Sequence, residues 1–380
     1  MTHATNQRFL VVNAGSSSLK MRIYHGGDTV FSGVASEIGG QGTMSVAGAR
    51  TPQDLPDHAT ALSSLLAAAG QSASGLSAAV HRVVHGGPHL SASAVLDPSV
   101  LGQIREASSL APLHNPPALA AIDALAASHP DLVQIGCFDT AFHATIPEVR
   151  RQYALPDLPE TKGIRRYGFH GISYASLTAT LPDRIGAPLP RRLLALHLGN
   201  GASLCAIENG RSVATTMGYS PLEGLTMGTR SGDIDGNAVL EIARRGGIDR
   251  AYDILNRNSG LKGLAGSSDM RALGEKANDT AAFAIAHFVD RVVAHAGAMV
   301  AALGGLDAVA FTGGIGENAP AIRAAIMDRL GFLGLMHDGA ANSAAALKLH
   351  SDGSKIAAYI HPADEEGGMV DEARKVLLAR

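Results

Sequence analysis

Between Met217 and Asp235 the chain concentrates groups that can handle an anion. Arg230 supplies a guanidinium, Asp233 and Asp235 supply carboxylates, and Gly218, Gly224, Gly228 and Gly232 supply tight backbone turns. The same stretch holds Met217, Met227, Leu222, Leu225, Ile234 and Tyr219. A surface linker is not this apolar and a core element is not this rich in glycine, so the stretch reads as an ordered loop lining a site. Two more loops have this character, each following a β-like run. One is Asn13-Ala14-Gly15-Ser16-Ser17-Ser18-Leu19-Lys20, the other Thr312-Gly313-Gly314-Ile315-Gly316-Glu317-Asn318. The first offers backbone N–H groups, serine hydroxyls and an ammonium, and so either cradles phosphate oxygens or is a serine-rich turn. It is not a Walker A loop, because the Gly-Lys-Ser/Thr ending is missing. Three such loops point to an enzyme that handles phosphate and nucleotide.

Other segments add single groups. His81-Arg82-Val83-Val84-His85 ends a strand with a guanidinium that can bind a carboxylate or phosphate through two N–H groups, or simply face solvent. Phe138-Asp139-Thr140 places a carboxylate just past an apolar strand, where active-site carboxylates of α/β folds often lie. Arg165-Arg166-Tyr167-Gly168-Phe169-His170-Gly171 combines cations, aromatics and a histidine before a helix. His197-Leu198-Gly199-Asn200-Gly201 is a glycine loop of weak pattern.

The elements that must position these groups alternate between strand and helix. Strands are predicted at 8–13, 19–24, 29–34, 78–84, 132–138, 307–312 and 355–360. Helices are predicted at 58–69, 98–109, 116–128, 235–245, 248–257, 280–303, 319–330 and 368–379. Residues 10–30 and 194–214 align without a gap at an offset of 184, Leu10 on Leu194, Gly15 on Gly199, Ile23 on Ile207 and Gly26 on Gly210. In each copy a strand, a glycine loop, a strand, a turn and a strand follow one another, which points to duplication. A chain of 380 residues is long for one core. The expectation is an N-terminal domain of 1–150 plus about 367–380 and a C-terminal domain of 151–366. The proline-bearing stretch 154–163 would be their connector and hinge, and a glycine loop from each half would face one ligand in the cleft between them.

Composition excludes several classes. Net charge is −3 with no basic run of five or more, which argues against a nucleic-acid or anionic-membrane partner. No apolar stretch reaches about 18 residues, the length of a spanning helix. A strand-like run, Phe9-Leu10-Val11-Val12, begins within ten residues of the start and leaves no room for a signal peptide. Cys137 and Cys205 both fall in predicted strands and read as small buried hydrophobes in a reducing compartment, so a cytoplasmic location is expected. His287, Arg291 and His295 share one face of the helix at 280–303 and read as a solvated or interface face rather than a metal site; the chain has no His-Glu-x-x-His motif or paired Cys-x-x-Cys.

Taken in order, the segments at 11–20, 81–87, 111–117, 138–143, 165–171, 197–203, 217–236 and 311–318 resemble the acetate kinase family. The resemblance runs from about residue 8 to about 366, and the run 217–235 and the phrase Arg-Tyr-Gly-Phe-His-Gly are specific to it. It implies an α/β fold of two duplicated ribonuclease-H-like (actin-like ATPase) domains around a central cleft, and a homodimer. It also implies the reaction ATP + acetate ⇌ ADP + acetyl phosphate, with Mg²⁺, or Mn²⁺ in its place. By this resemblance Asn13 and Glu365 are linked to the metal and Lys20 reaches the ATP phosphates. Arg82 binds the substrate carboxylate, beside a methyl pocket of Val84, Leu113, Phe169 and Pro221. Asp139 is the proton donor/acceptor or an orienter of cations, and His170 and Arg230 stabilise the transition state. His197, Leu198, Gly199, Asn200 and Gly201 contact phosphate. Asp269, Met270 and Arg271 hold the adenosine with Gly314, Ile315, Gly316, Glu317 and Asn318.

The chain departs from the family pattern in two places. Where relatives read Pro-Thr-Asn-Glu-Glu-Leu, it has Asp364 for Asn, and Gly367-Gly368 follow, so the metal-linked carboxylate is Glu365 or its neighbour Glu366. Tyr174 stands where many relatives have a second histidine, and no role is carried to it. Propionate kinase is the neighbouring alternative. A non-catalytic actin-like or chaperone-like nucleotide switch is the distant one, and it needs neither a carboxylate pocket nor the 217–235 loop.

Overall fold

In the computed structural model the described residues are 7–70, 75–276 and 278–379; residues 1–6 and 380, the ends of the expected N-terminal domain, lie outside them. The chain forms two compact units, one running to Phe142 and resuming at Asp364, the other His143–Ala363. It passes from unit to unit at 142/143 and 363/364, so the stretch 154–163 lies inside the second unit.

The first unit is built on strands β1 (Arg8–Ala14), β2 (Ser18–His25), β3 (Asp28–Ser36), β4 (Gly40–Val46), β5 (Ala49–Leu55), β6 (Ala78–Val83), β7 (Ala94–Val95) and β8 (Gln134–Phe138). They form one sheet in the order β5-β4-β3-β2-β1-β6-β8-β7, with β1, β6 and β8 parallel and the β1–β5 meander antiparallel. Alternation along β1 sets its two faces. Leu10, Val12 and Ala14 join Leu19, Met21 and Ile23 of β2 in a buried cluster with Leu62 and Leu65 of the helix His58–Ala69 and Ala121 and Leu125 of the helix Asn115–Ser128. Phe9 faces the other way, under the guanidinium of Arg374 on the last helix, Glu365–Leu378, at 5.6 Å. Each such apolar side chain taken out of water contributes about 1.5–3 kcal/mol. The hairpin β4–β5 is an addition to the sequence reading. It is mostly polar, because β5 is the sheet edge and carries Pro52 there. Its turn, Ala47-Gly48, has φ of 49° and 82°, the left-handed pair that a two-residue hairpin favours.

The second unit has a five-stranded sheet of β9 (Arg192–Leu198), β10 (Ala202–Glu208), β11 (Arg211–Thr215), β12 (Ala308–Thr312) and β13 (Ala357–Ile360), in the order β11-β10-β9-β12-β13. β9, β12 and β13 are parallel, and β10 and β11 antiparallel, which repeats the plan of β3-β2-β1-β6-β8. The duplication is thus present in the topology, with one correction to its register. β1 maps onto β9 at the offset of 184, but the next strands map at 183. Ala14 pairs with Leu19 across residues 15–18, whereas Leu198 pairs with Ala202 across residues 199–201. The first connection is one residue longer, so the matches of Ile23 to Ile207 and Gly26 to Gly210 are not structural equivalences.

Three other expectations change. Residues 313–318 are a short helix, Gly313–Asn318, rather than a loop, begun directly by Thr312 at the end of β12. The helix Asp279–Leu303 is long and apolar enough, by length and composition alone, to cross a bilayer; its alanines hid this from a reading by large apolar residues. It packs on the sheet through residues such as Phe288, Val292 and Ala296, with Asp290 and Arg291 on its exposed side, which is the pattern of a core-covering helix. Its His287 and His295 are partly exposed and reach the 217–235 loop. His287 Nδ1 meets Thr226 Oγ1 at 3.2 Å and His295 Nε2 meets Asp233 Oδ2 at 3.2 Å, so both hold the 217–235 loop. Cys137 and Cys205 are buried and free, and burial pushes both thiols up to about 12.

Candidate active site

In the first unit the parallel strands β1, β6 and β8 end side by side, which brings together Asn13, Arg82 and Asp139 from distant parts of the sequence. Arg82 directs Nε to Asp139 Oδ1 at 3.3 Å and Nη2 to Oδ2 at 2.5 Å, while Nη1 reaches Asn13 Oδ1 at 3.3 Å. Asp139 is 1% exposed, and its own N–H is held by the carbonyl of Val83 at 3.1 Å. Burial pulls the Arg82 guanidinium toward losing its proton, but the charges of Asp139 and then Glu365 outweigh it and hold the pKa above the ordinary value. The second carboxylate acting on Arg82 is Glu365, the first residue of the last helix. Glu366 is committed elsewhere, 2.6 Å from Arg22 Nη1 on β2. Burial raises the Glu366 pKa against the pull of Arg22 and Lys20. Asp364, the departure from the family pattern, caps this helix by accepting from the N–H of Gly367 at 2.9 Å. Asp and Asn serve equally there. Lys20, opposite Asn13 across the β1–β2 pair, is exposed. Val84 is buried and Leu113 half-buried, both in this unit.

The second unit holds the remaining residues. His170 sits at φ 58°, a left-handed conformation that costs a non-glycine residue about 1–2 kcal/mol, and it starts the helix Gly171–Ile185. What holds it there is visible. His143 Nε2 meets the carbonyl of Phe169 at 2.9 Å and its Nδ1 meets Ser212 Oγ at 2.8 Å. Burial pushes His143 down to about 4, so it is a neutral fixture. Gly168, at φ 80°, lies against that ring so closely that a Cβ would be 2.6 Å from it. The His170 ring stacks on His197 with centroids 4.2 Å apart, and its Nδ1 lies 2.9 Å from Ser203 Oγ. Tyr174, one helical turn further, places its hydroxyl 2.6 Å from the same Ser203 oxygen. His197 Nδ1 is 2.9 Å from Ser173 Oγ.

The loop at 217–235 is fixed from several sides. Arg166 donates to the carbonyls of Thr215, Thr216 and Met217 at 3.0–3.2 Å and pairs with Glu223, to which Tyr153 also donates. Arg230 donates to the carbonyl of Pro221 at 2.8 Å. Gly228 docks on the loop at 199–201, its N–H on Asn200 O at 3.0 Å, and a Cβ there would lie 1.8 Å from Asn200 Oδ1. His170 and Arg230 meet over that loop. A Cβ on Gly201 would be 3.2 Å from His170 Nε2 and 3.7 Å from Arg230 Nη2. Leu198 closes β9, and Gly199 starts the turn with its N–H on Gly201 O at 3.0 Å. Phe169 is buried and Pro221 half-buried in this unit.

The residues expected around adenosine fall on two short helices. Asp269 caps the helix Met270–Glu275, accepting from the N–H groups of Arg271 and Ala272, and Met270 is buried beneath. Gly314, Ile315, Gly316, Glu317 and Asn318 form the helix that follows β12; Asn318 Nδ2 turns back to Gly314 O at 2.9 Å, and Glu317 Oε1 accepts from Ala363 N at 2.9 Å. Sequence reading missed Arg323, 1% exposed, whose guanidinium takes the carbonyls of Gly316 and Glu317 at 3.0 and 2.7 Å and is held in turn by Asn342. It also missed His143, Ser203 and the role of Tyr174. A Tyr at the i+4 position after His170 was the one available signal.

A sequence model of the acetokinase family matches residues 8–371. The acetate kinase of Nitrobacter hamburgensis is 41% identical over 390 residues, covering 98% of this chain and 96% of its own. That of Streptomyces coelicolor is 40% identical over 386 residues, covering 95% of each. Among solved structures, the acetate kinase of Porphyromonas gingivalis superposes with a TM-score of 0.91 at 33% identity, over 98% of this chain and 100% of that one. A propionate kinase from Francisella tularensis gives 0.91 at 33%, over 96% and 98%.

Proposed function

The chain belongs to the acetokinase family, and on that premise we propose that it transfers the γ-phosphoryl group of ATP reversibly to acetate, giving acetyl phosphate and ADP. A small carboxylic acid is ionised at neutral pH, as Asp and Glu side chains are, so the acceptor needs no base. The difficulty is to bring two anions together and to stabilise a phosphoryl group in flight, which is work for positioning and electrostatics. The observation that carries this reading is the grip of Asp139 on Arg82. A guanidinium has five N–H donors; Asp139 takes two and Asn13 one, which leaves two, aimed by the grip, for a substrate carboxylate. Asp139 then acts as an orienter of the cation. Val84, Leu113, Phe169 and Pro221 wall the methyl group. His170 and Arg230 donate to the phosphoryl oxygens as charge builds there. Lys20 and the turn from His197 to Gly201 meet the phosphates. Met270, Arg271 and the helix Gly313–Asn318 hold the adenosine, with Asp269 setting the first two through its cap.

The donor set fits Mg²⁺. Asn13, Asp139 and Glu365 offer only hard oxygens, and among the described residues no cluster of three His, Cys, Asp or Glu side chains forms a dedicated cage. Mg²⁺ is usually held by one or two carboxylates together with substrate phosphates. Asn13 and Glu365 would hold it, and Mn²⁺ shares its ligand preference. The ion would supply charge neutralisation of the phosphates. We read the protein as a cytoplasmic homodimer. Its free cysteines suit a reducing compartment, and Leu240 and Ile248, 68% and 81% exposed on consecutive helices of the second unit, suit a covered surface. Sedimentation at micromolar concentration tests the dimer.

A hydroxamate assay with ATP, Mg²⁺ and acetate tests the function. Acyl phosphate should accumulate with acetate and more slowly with propionate. No product with either acid would overturn the reading, and faster turnover of propionate would transfer it to the neighbouring activity.

A further inference from the structure

Arg166 and Glu223 form an ion pair within the second unit, their side chains 19% and 31% exposed. Arg166 turns Nη1 toward the carbonyls of Thr215, Thr216 and Met217 at 3.2, 3.0 and 3.0 Å, so that two N–H groups are shared among three oxygens. Its Nη2 donates to Glu223 Oε1, and the Tyr153 hydroxyl donates to Oε2. The Tyr153 oxygen in turn accepts from the N–H of Tyr219 at 3.0 Å. Burial, then the bond to Glu223, push the Tyr153 phenol up, so it stays protonated and donates. Gly218 lies against this cluster, where a Cβ would stand 1.6 Å from Glu223 Oε2 and 2.3 Å from Tyr153 Oη. Only glycine lets the loop pass so close. The Gly218 carbonyl accepts from the N–H groups of Tyr167 and Gly168 at 3.0 and 3.2 Å.

The cluster joins two segments that each carry a group of the site. Arg166 begins the run Arg166-Tyr167-Gly168-Phe169-His170, whose middle is bonded to Gly218. Glu223 stands two residues after Pro221, and the Pro221 carbonyl accepts from Arg230 Nη1 at 2.8 Å. The next residue, Gly224, is fixed by its N–H on Asp233 Oδ1 at 2.7 Å. We propose that Arg166, Glu223 and Tyr153 set the spacing between His170 and Arg230 by holding the segments that carry them. All three are thereby positioning residues for the phosphoryl transfer proposed above, on which the functional part of this inference rests. The residue types suit the task. A guanidinium binds three carbonyls and a carboxylate with one rigid plane, which an ammonium on a flexible stem does not reproduce. Glu223 gives one oxygen to each of its two donors, so the carboxylate ties Arg166 to Tyr153.

The test is a double-mutant cycle in the full chain, with Glu223→Gln and Tyr153→Phe each made alone and together with Arg230→Ala. Glu223→Gln keeps the size and removes the charge. It should lower kcat about 10- to 100-fold with KM for ATP and acetate within about threefold, since a misplacement of about 1 Å can cost roughly 100-fold. Tyr153→Phe leaves the ion pair in place and should cost less, about 3- to 10-fold. If the cluster acts through Arg230, Glu223→Gln should add less than about twofold once Arg230 is alanine. The same factor in both backgrounds, or wild-type kcat in Glu223→Gln, would overturn the positioning role. Amide hydrogen exchange gives a readout without substrate. Exchange across residues 217–224 should be faster in both single variants than in wild type, and unchanged exchange would overturn the cluster as the support of the loop. If Glu223→Gln fails to fold, Tyr153→Phe carries the same cycle. A wild type that makes no acyl phosphate would remove the kinase reading, and the exchange result would still decide whether the cluster holds the loop.

Discussion

Arg82 and Asp139 stand at the ends of neighbouring parallel strands, and two guanidinium nitrogens grip both carboxylate oxygens at 3.3 and 2.5 Å. Such a pair is a means of aiming a cation. Truncating one member of a buried, hydrogen-bonded pair costs about 3–5 kcal/mol. Asp139→Asn keeps the size and removes the charge, so kcat/KM for acetate should fall roughly 100-fold or more. If Asp139 acts through Arg82, the loss is the same across the pH–rate profile. A loss confined to one limb would mean that Asp139 carries a proton.

Arg230 donates to the Pro221 carbonyl at 2.8 Å and lies with His170 over the turn at Gly201. Arg230→Ala should lower kcat by about 100-fold, the effect of losing one transition-state donor at roughly 3 kcal/mol. The melting temperature should move by no more than a few degrees. Near-wild-type turnover would take Arg230 out of the site.

Val84 is buried just past the end of β6, two residues after Arg82. One methylene in an apolar pocket changes specificity by about 1–3 kcal/mol, or roughly 10–200-fold. Propionate should thus be a poor but real substrate, and Val84→Ala should narrow the gap by making room. The ratio of kcat/KM for the two acids decides this. An unchanged ratio in the variant would show that Val84 does not line the pocket.

Burial pushes His81, His85 and His143 each down to about 4 from an ordinary 6.5. The unfolded chain takes up their protons near pH 6.5 and the folded one only near 4. Their stabilising contribution is full above about 6.5 and is lost as pH falls toward 4, at about 1.4 kcal/mol per pH unit for each ring. Urea midpoints should therefore drop steeply between pH 7 and 5. His81→Leu should make that slope shallower, and an identical slope would contradict the assignment.

Much of this was legible in the sequence where the signal is local. The apolar alternation of Leu10, Val12 and Ala14, the helix from His58, and the glycine turns announce themselves within a few residues. The polar strands β4 and β5 gave no such signal, because an edge hairpin has little to bury. Residues 313–318 read as a loop because their glycines, poor helix formers alone, are supported by Arg323, whose part could not be seen from spacing. Resemblance supplied the pairing of Arg82 with Asp139 in one site. It could not supply the contact of His143 with Ser212, because partners 69 residues apart are joined only by the folded sheet.

The one-residue difference between the connections at 15–18 and 199–201 shows where this plan tolerates change. Successive strand residues point to opposite faces, so a slip of one residue between paired strands would turn one of them inside out. Here the extra residue stays in the turn: Ala14 lies opposite Leu19 and Leu198 opposite Ala202, all four buried, so the next strand enters with the same face inward in both halves. Exchanging the two turns whole would leave Leu19, Met21 and Ile23 in the core. A designer who recombines the halves should therefore cut at the paired residues that flank each turn.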